Sequence, residues 1–74
     1  MAKLTPSLFV KIGEALFGPC WRLPLSHEIE VSERSVRRWQ NAGATIPEGV
    51  GADLAEVCRE RAGKLIEIAK YLEG

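Results

Sequence analysis

Residues 22–41, RLPLSHEIEVSERSVRRWQN, carry the most informative pattern of this chain. Five apolar residues recur in it at helical spacing: Leu25, Ile29, Val31, Val36 and Trp39. This is the spacing of two short helices that pack at a steep angle, with the first pair facing the last pair and Val31 filling the corner between them. The stretch therefore predicts a short helix, a three-residue turn and a second helix that begins at Ser32.

Capping and breaking residues set the bounds of these two helices. Pro24 fits only the first turn of a helix, so the first helix covers roughly residues 21–29, with its first helical residue no earlier than about Arg22. Ser32 is a favourable N-cap, and Gly43 is favourable just beyond a helix C-terminus. The second helix is therefore predicted over about 33–42.

Another helix is predicted ahead of this stretch. Thr5 and Pro6 are the N-cap and first-turn residues typical of a helix start, and Gly18-Pro19 stops a helix, which gives bounds of about 6–17. Its inward positions recur at helical spacing: Leu8, Phe9, Ile12, Ala15 and Leu16.

The C-terminal region, residues 47–73, carries a longer apolar stripe. Gly49 and Gly51 weaken its start and Gly63 interrupts its middle, so the region forms either one long helix or two shorter ones. Three short helices cannot cover the whole stripe, and an exposed apolar patch usually marks a partner. We therefore predict a homodimer surface. Its residues are Leu54, Cys58, Leu65, Ile68 and Leu72.

Together these elements predict a small all-α domain of four to five helices, with a helix-turn-helix at 22–41 and a long C-terminal helix. A chain of 74 residues forms one domain and is too short for a large enzyme cleft. Its 46% apolar and 27% charged residues are typical of globular proteins. No apolar run reaches the ~18 residues of a membrane span, and the N-terminal residues lack the apolar core of a signal peptide. We expect a cytoplasmic protein.

Charge is balanced overall but unevenly distributed. Ten Lys and Arg residues match ten Asp and Glu residues, which argues against a strong non-specific nucleic-acid binder. Positive charge gathers in residues 1–22 and 32–47, whereas residues 23–31 carry only Glu28 and Glu30. Residues 48–74 hold six acids and four bases, so negative charge gathers in the tail.

The chain offers little for catalysis or metal binding. Cys20 and Cys58 lie far apart, and with the single His27 they are too few for a zinc site. A disulfide between them is disfavoured in a reducing cytosol, so we expect two buried or half-buried thiols and a surface histidine. No nucleophile–base pair or phosphate-binding glycine loop is present. We predict no enzyme activity, cofactor, metal or small-molecule substrate.

The stretch resembles the helix-turn-helix of bacterial and phage repressor-type (lambda-repressor-like) DNA-binding proteins. The surrounding sequence LFGPCW…VSERSVRRWQNAGATIPEGV is similar to small bacterial and prophage members of that superfamily, over about residues 16–57, and VSERSVRRW is the sharpest part. All five apolar positions match. Ser26 stands where the family usually has alanine, and Glu30 stands where glycine usually adopts a left-handed conformation, at a cost of about 1 kcal/mol.

The resemblance implies a repressor that acts as a homodimer on a palindromic site in double-stranded DNA, with the second helix in the major groove. The candidate DNA contacts are Arg22, Ser32, Glu33, Arg34, Ser35, Arg37, Arg38 and Asn41. We expect Arg34 and Arg38 at bases, because a guanidinium pairs with guanine in two places, and Arg22 and Arg37 at phosphates. Trp21 and Trp39 are expected in the core.

A second hypothesis is a helical protein-binding module, encoded by a phage or mobile element, that keeps the fold without binding DNA. The neutral net charge and the acids Glu28, Glu30 and Glu33 favour it. Salt bridges from these acids to the arginines would weaken the DNA hypothesis, whereas a positive surface continuous with Arg22 and Lys11 would strengthen it.

Overall fold

The computed structural model describes residues 4–74, which form an all-helical domain. Its four α-helices are α1 at Pro6–Phe17, α2 at Arg22–Glu28, α3 at Glu33–Trp39 and α4 at Glu48–Glu73. A 3-10 turn at Gly18–Cys20 joins α1 to α2. The predicted fold class is confirmed, and the C-terminal region is one continuous helix rather than two.

The ends of α1 lie where the sequence predicts them. At its start, the Thr5 hydroxyl accepts a hydrogen bond from the Leu8 backbone N–H over 3.2 Å, and Pro6 occupies the first turn. At its end, Gly18 turns the chain with a φ of 77°, and its backbone N–H donates to the Glu14 carbonyl.

The helix α3 is shorter than predicted, ending at Trp39 rather than at residue 42. Beyond Trp39, the backbone N–H of Asn41 donates to the Arg38 carbonyl, and that of Ala44 donates to the Asn41 carbonyl. These bonds span three residues, so tight turns replace the last helical turn. Gly43, with a φ of 84°, lies within these turns rather than directly after the helix.

The turn between α2 and α3 has four residues, 29–32, rather than three, because α2 ends at Glu28. Glu30 adopts a left-handed conformation with a φ of 56°, and no other non-glycine residue in the described range 4–74 has a positive φ. This is the position at which the resembled family has glycine. The turn is closed by a 2.9 Å hydrogen bond from the Val31 N–H to the Ser26 carbonyl.

We expect Glu30→Gly to raise the free energy of unfolding by about 0.5–1 kcal/mol. Glycine removes a left-handed strain of about 1–2 kcal/mol, and its larger unfolded-state entropy cancels part of that gain. Urea denaturation measures the change. Glu28→Gly, in the last turn of α2, is the matched control and should lower stability instead. A loss of stability in both variants would contradict an unfavourable conformation at Glu30.

Three aromatic rings form the centre of the core. Phe9 contacts Trp21 and Trp39 edge-to-face, with ring centroids 5.5 Å and 6.0 Å apart. The rest of the buried apolar core comes from α2 to α4: Leu25, Ile29, Val36, Val50, Leu54 and Val57. Both tryptophans therefore lie in the core, as predicted, and the core includes the apolar positions that decide the helix-turn-helix.

Five residues lie in environments other than those predicted. Cys20 and Cys58 are exposed free thiols rather than buried or half-buried ones. Leu8 and Ala15 are exposed on α1 rather than turned inward. Leu54 retains only 2% of its accessible surface, so it belongs mainly to the core of a single chain, whereas the sequence predicted it for the homodimer surface.

The second half of α4 extends beyond the packed domain. Val57 is the last residue of α4 that is buried, and the molecule measures 47 × 27 × 19 Å along its principal axes. In residues 4–74, no helix combines the length and apolar character that crossing a membrane requires.

Candidate nucleic-acid interface

The helix α3 has one buried face and one solvent face. Val36 and Trp39 are buried in the core beside α2. Arg34, Arg37 and Arg38 are exposed on the remaining surface of the same seven-residue helix. An α-helix with its side chains is about 10–12 Å across, which fits a major groove roughly 12 Å wide. The fold therefore presents three arginines on the solvent face of a short helix.

The three arginines differ in what they contact. Arg37 forms an exposed ion pair with Glu33, one helical turn earlier, at 3.3 Å. Such pairs contribute little to stability and separate easily when a stronger anion is available. Arg34 and Arg38 form no ion pair with any residue between 4 and 74. Their guanidinium groups are therefore free to bind an external anion or base edge.

Two predicted contact residues order the start of α3. The Ser32 hydroxyl accepts a hydrogen bond from the Ser35 backbone N–H at 3.1 Å, and it donates to the Ser35 hydroxyl at 3.1 Å. Ser32 is the N-cap, as predicted. Because the two hydroxyls already bond to each other, their first role is to hold the helix start. Asn41 lies exposed in the turn just after α3.

Arg22 connects the start of α2 to the end of α3. Its Nε donates a 2.7 Å hydrogen bond to Oε1 of Gln40, and its guanidinium carbon lies 5.1 Å from the centroid of the Trp21 ring. The side chain is half-buried, and these two contacts fix its direction. Gln40 is a positioning residue that sequence analysis missed. Eighteen residues separate it from Arg22, and no local spacing links the two.

Acidic residues gather on a different part of the surface. Glu28 and Glu30 line a shallow depression together with three acids of α4. Those three acids are Asp53, Glu56 and Glu60. Within the described chain, none of the five pairs with Arg34, Arg37 or Arg38. Of the three acids that favoured the protein-binding hypothesis, only Glu33 pairs with an arginine of α3.

The described residues include no group of three or more His, Cys, Asp or Glu side chains that could hold a metal ion. No protein-family model, curated protein sequence or solved structure matches this chain. Its function therefore has to be inferred from the geometry and chemistry of α2, α3 and α4.

Proposed function

We propose that this protein is a sequence-specific DNA-binding transcriptional regulator of the repressor type, acting in the cytoplasm as a homodimer on a palindromic site. In this proposal α3 enters the major groove, and two copies reach half-sites about 34 Å apart, one turn of the duplex. Such proteins often control their own operon, so the DNA flanking the gene is the first site to test.

One observation carries this proposal. Arg34 and Arg38 are exposed and without ion pairs among residues 4–74, on the outer face of the second helix of a helix-turn-helix. In the helix-turn-helix motif the outer face of the second helix is the surface that contacts base edges in the major groove. Arginine is also the side chain that most often reads guanine in the major groove.

The remaining candidate contacts support this arrangement in different ways. Arg37 is suited to a phosphate, because its pair with Glu33 is exposed and exchangeable. Arg22 has its Nε occupied by Gln40, which leaves its terminal amino groups to reach a phosphate in a fixed direction. Zero net charge means that base contacts and dimerisation, rather than bulk charge, supply the affinity.

We expect Arg34→Ala and Arg38→Ala each to weaken binding to the preferred site by about 1–3 kcal/mol, roughly 5- to 150-fold, and to relax preference at one base position. The preferred site is first obtained by selecting duplexes from a random-sequence library and from DNA flanking the gene. Arg37→Ala should instead weaken binding to all sequences and reduce the salt dependence.

Arg59→Ala is the matched control, because Arg59 is an exposed arginine on α4, away from α3. It should leave affinity and base preference unchanged. If the folded wild-type protein enriches no sequence, or if Arg34→Ala and Arg38→Ala bind the selected site like wild type, the DNA-binding proposal is wrong. The protein-binding hypothesis would then be the better one.

A further inference from the structure

The long helix α4 carries two rows of residues that differ in burial and in charge. The row that faces the core begins with Val50, Leu54 and Val57 but continues with the charged Arg61 and Lys64. A second row is uncharged from end to end, and its members alternate at spacings of four and three. They are Gly51, Ala55, Cys58, Ala62, Leu65, Ala69 and Leu72. Every member from Ala55 onward is exposed.

The first part of this second row lines an open apolar groove. Gly51, Ala55 and Cys58 form one wall of the groove, with Leu54 at its base. The opposite wall comes from Leu8 and Ile12 of α1 and from Leu4, two residues before that helix. Leu8 remains 40% exposed. The groove is therefore an apolar surface that nothing covers within residues 4–74.

The last part of the row is an apolar ridge rather than a groove. Leu65 and Leu72 are 63% and 78% exposed, and Ile68 beside them is 54% exposed. Ile68 lies on the same side of the row as Leu54, which is the side next to α1. The N-terminal part of α4 therefore borders an unfilled apolar groove, and its C-terminal part exposes large apolar side chains to solvent.

We propose that the occupant of this groove is the α4 ridge of a second copy, in an antiparallel pair of α4 helices centred on Ala62. In that register Ala62 meets its own symmetry mate, Ala55 meets the partner's Ala69, Cys58 meets the partner's Leu65, and Gly51 meets the partner's Leu72. Each bulky residue then faces a small one, as in well-packed helix pairs. A parallel pair would set leucine against leucine at one end and leave a void between glycines at the other.

Two further features fit the antiparallel register. Ala55, Ala62 and Ala69 recur every seven residues, so the seam lets the two helices approach closely along its whole length. Ile68 lies on the side of the row that faces α1. In an antiparallel pair this side chain contacts the α1 helix of the partner. Arg61 flanks the middle of the seam, but its guanidinium lies over its own Phe17 ring at 4.7 Å, which holds the charge against its own domain.

The contact runs along most of α4. The row extends for about 30 Å of helix, and α1 adds apolar surface beside Gly51, Ala55 and Cys58, where it lines the groove. In the antiparallel register the α1 of each copy meets the C-terminal part of the partner's α4, so apolar side chains are covered at both ends of the pair. The role of this dimer, which is to present two copies of α3 to DNA, rests on the proposed function. The pairing of the α4 helices can be measured without DNA.

Cross-linking through single cysteines tests the register. In a Cys20→Ser, Cys58→Ala background, Ala62→Cys should form an inter-chain disulfide readily on mild oxidation, because the two residues meet on the two-fold axis. Ala69→Cys is the matched control, an exposed alanine of the same row that meets Ala55, and it should cross-link slowly. Faster cross-linking of Ala69→Cys than of Ala62→Cys would overturn this register.

Sizing by light scattering without DNA tests the groove. Ala55→Lys should raise the dimer dissociation constant by about tenfold or more, because it places a charge in the groove. Ala52→Lys changes an exposed alanine of α4 outside the row and should leave the dimer intact. If the wild-type protein is monomeric at tens of micromolar, the pairing of α4 helices is wrong. DNA binding is then still tested separately by the Arg34→Ala and Arg38→Ala variants. A dimer that enriches no DNA sequence overturns the proposed function alone.

Discussion

Gly13→Ala is expected to destabilise the domain by about 1–3 kcal/mol, although alanine is normally the better residue inside a helix. A Cβ on Gly13 would overlap Cε3 and Cδ2 of the Trp21 ring and lie 2.7 Å from Cζ3. Trp21 is only 1% exposed, and it packs against Phe9 on one side, so the ring has no free space into which to move. The overlap therefore outweighs the gain of up to about 1 kcal/mol in helix propensity.

Gly63→Ala is the matched control for this prediction. Gly63 also lies inside a helix, but a Cβ there meets nothing within 4 Å. The change should therefore raise the free energy of unfolding by about 0.5–1 kcal/mol, the ordinary difference between alanine and glycine. Thermal denaturation followed by circular dichroism gives both values. A stabilised Gly13→Ala variant would mean that α1 and Trp21 are not in close contact.

Phe9→Ala should leave the domain largely unfolded at 25 °C. Phe9 is fully buried and contacts both tryptophans, so its removal leaves a cavity that neither α1 nor α2 can fill. Truncating a buried phenylalanine costs about 3–5 kcal/mol. A single core in a chain of this size rarely supplies more than that amount of net stability. One substitution is thus expected to remove most of the folding free energy.

Tryptophan fluorescence is a direct measure of this prediction, because Trp21 and Trp39 both lie beside Phe9. The emission of Phe9→Ala should shift to longer wavelength without denaturant, as both indoles become hydrated. Tyr71→Ala removes an aromatic ring that is 87% exposed and should leave the emission and the urea midpoint close to wild type. A cooperative urea transition for Phe9→Ala near the wild-type midpoint would show that the three-ring centre is not the main source of stability.

The helix-turn-helix could be predicted from sequence because its determinants are local. Pro24 and Ser32 define helix starts through their own backbone chemistry, and Val36 and Trp39 recur at helical spacing. These features act within a few residues, so α1 to α3 lie where the sequence predicts them, to within three residues. The left-handed position of Glu30 agrees with what the resemblance to the repressor-type helix-turn-helix implies for this place in the turn.

The contacts of the candidate site could be predicted only in part. That Arg34, Arg37 and Arg38 would lie on the outer face of α3 follows from helical periodicity. Helical periodicity does not show which of these arginines forms an ion pair, because Glu28, Glu30 and Glu33 are all close to them in sequence. In the folded chain Glu28 and Glu30 line the acidic depression beside residues of α4, and among these three acids only Glu33 pairs with an arginine of α3, Arg37.

Local sequence signals were sufficient to place the starts of the helices and the inward residues of the helix-turn-helix, because propensity, capping and periodicity are short-range. They did not give the end of α3 or the continuity of α4, and long-range packing alone explains why Gly13 must lack a side chain, why Gln40 holds Arg22, and why Leu54 belongs to the core while Leu65 and Leu72 remain uncovered. Each of these depends on how distant helices pack. The apolar stripe of α4 is continuous in sequence, and the length of the other helices sets where its burial stops.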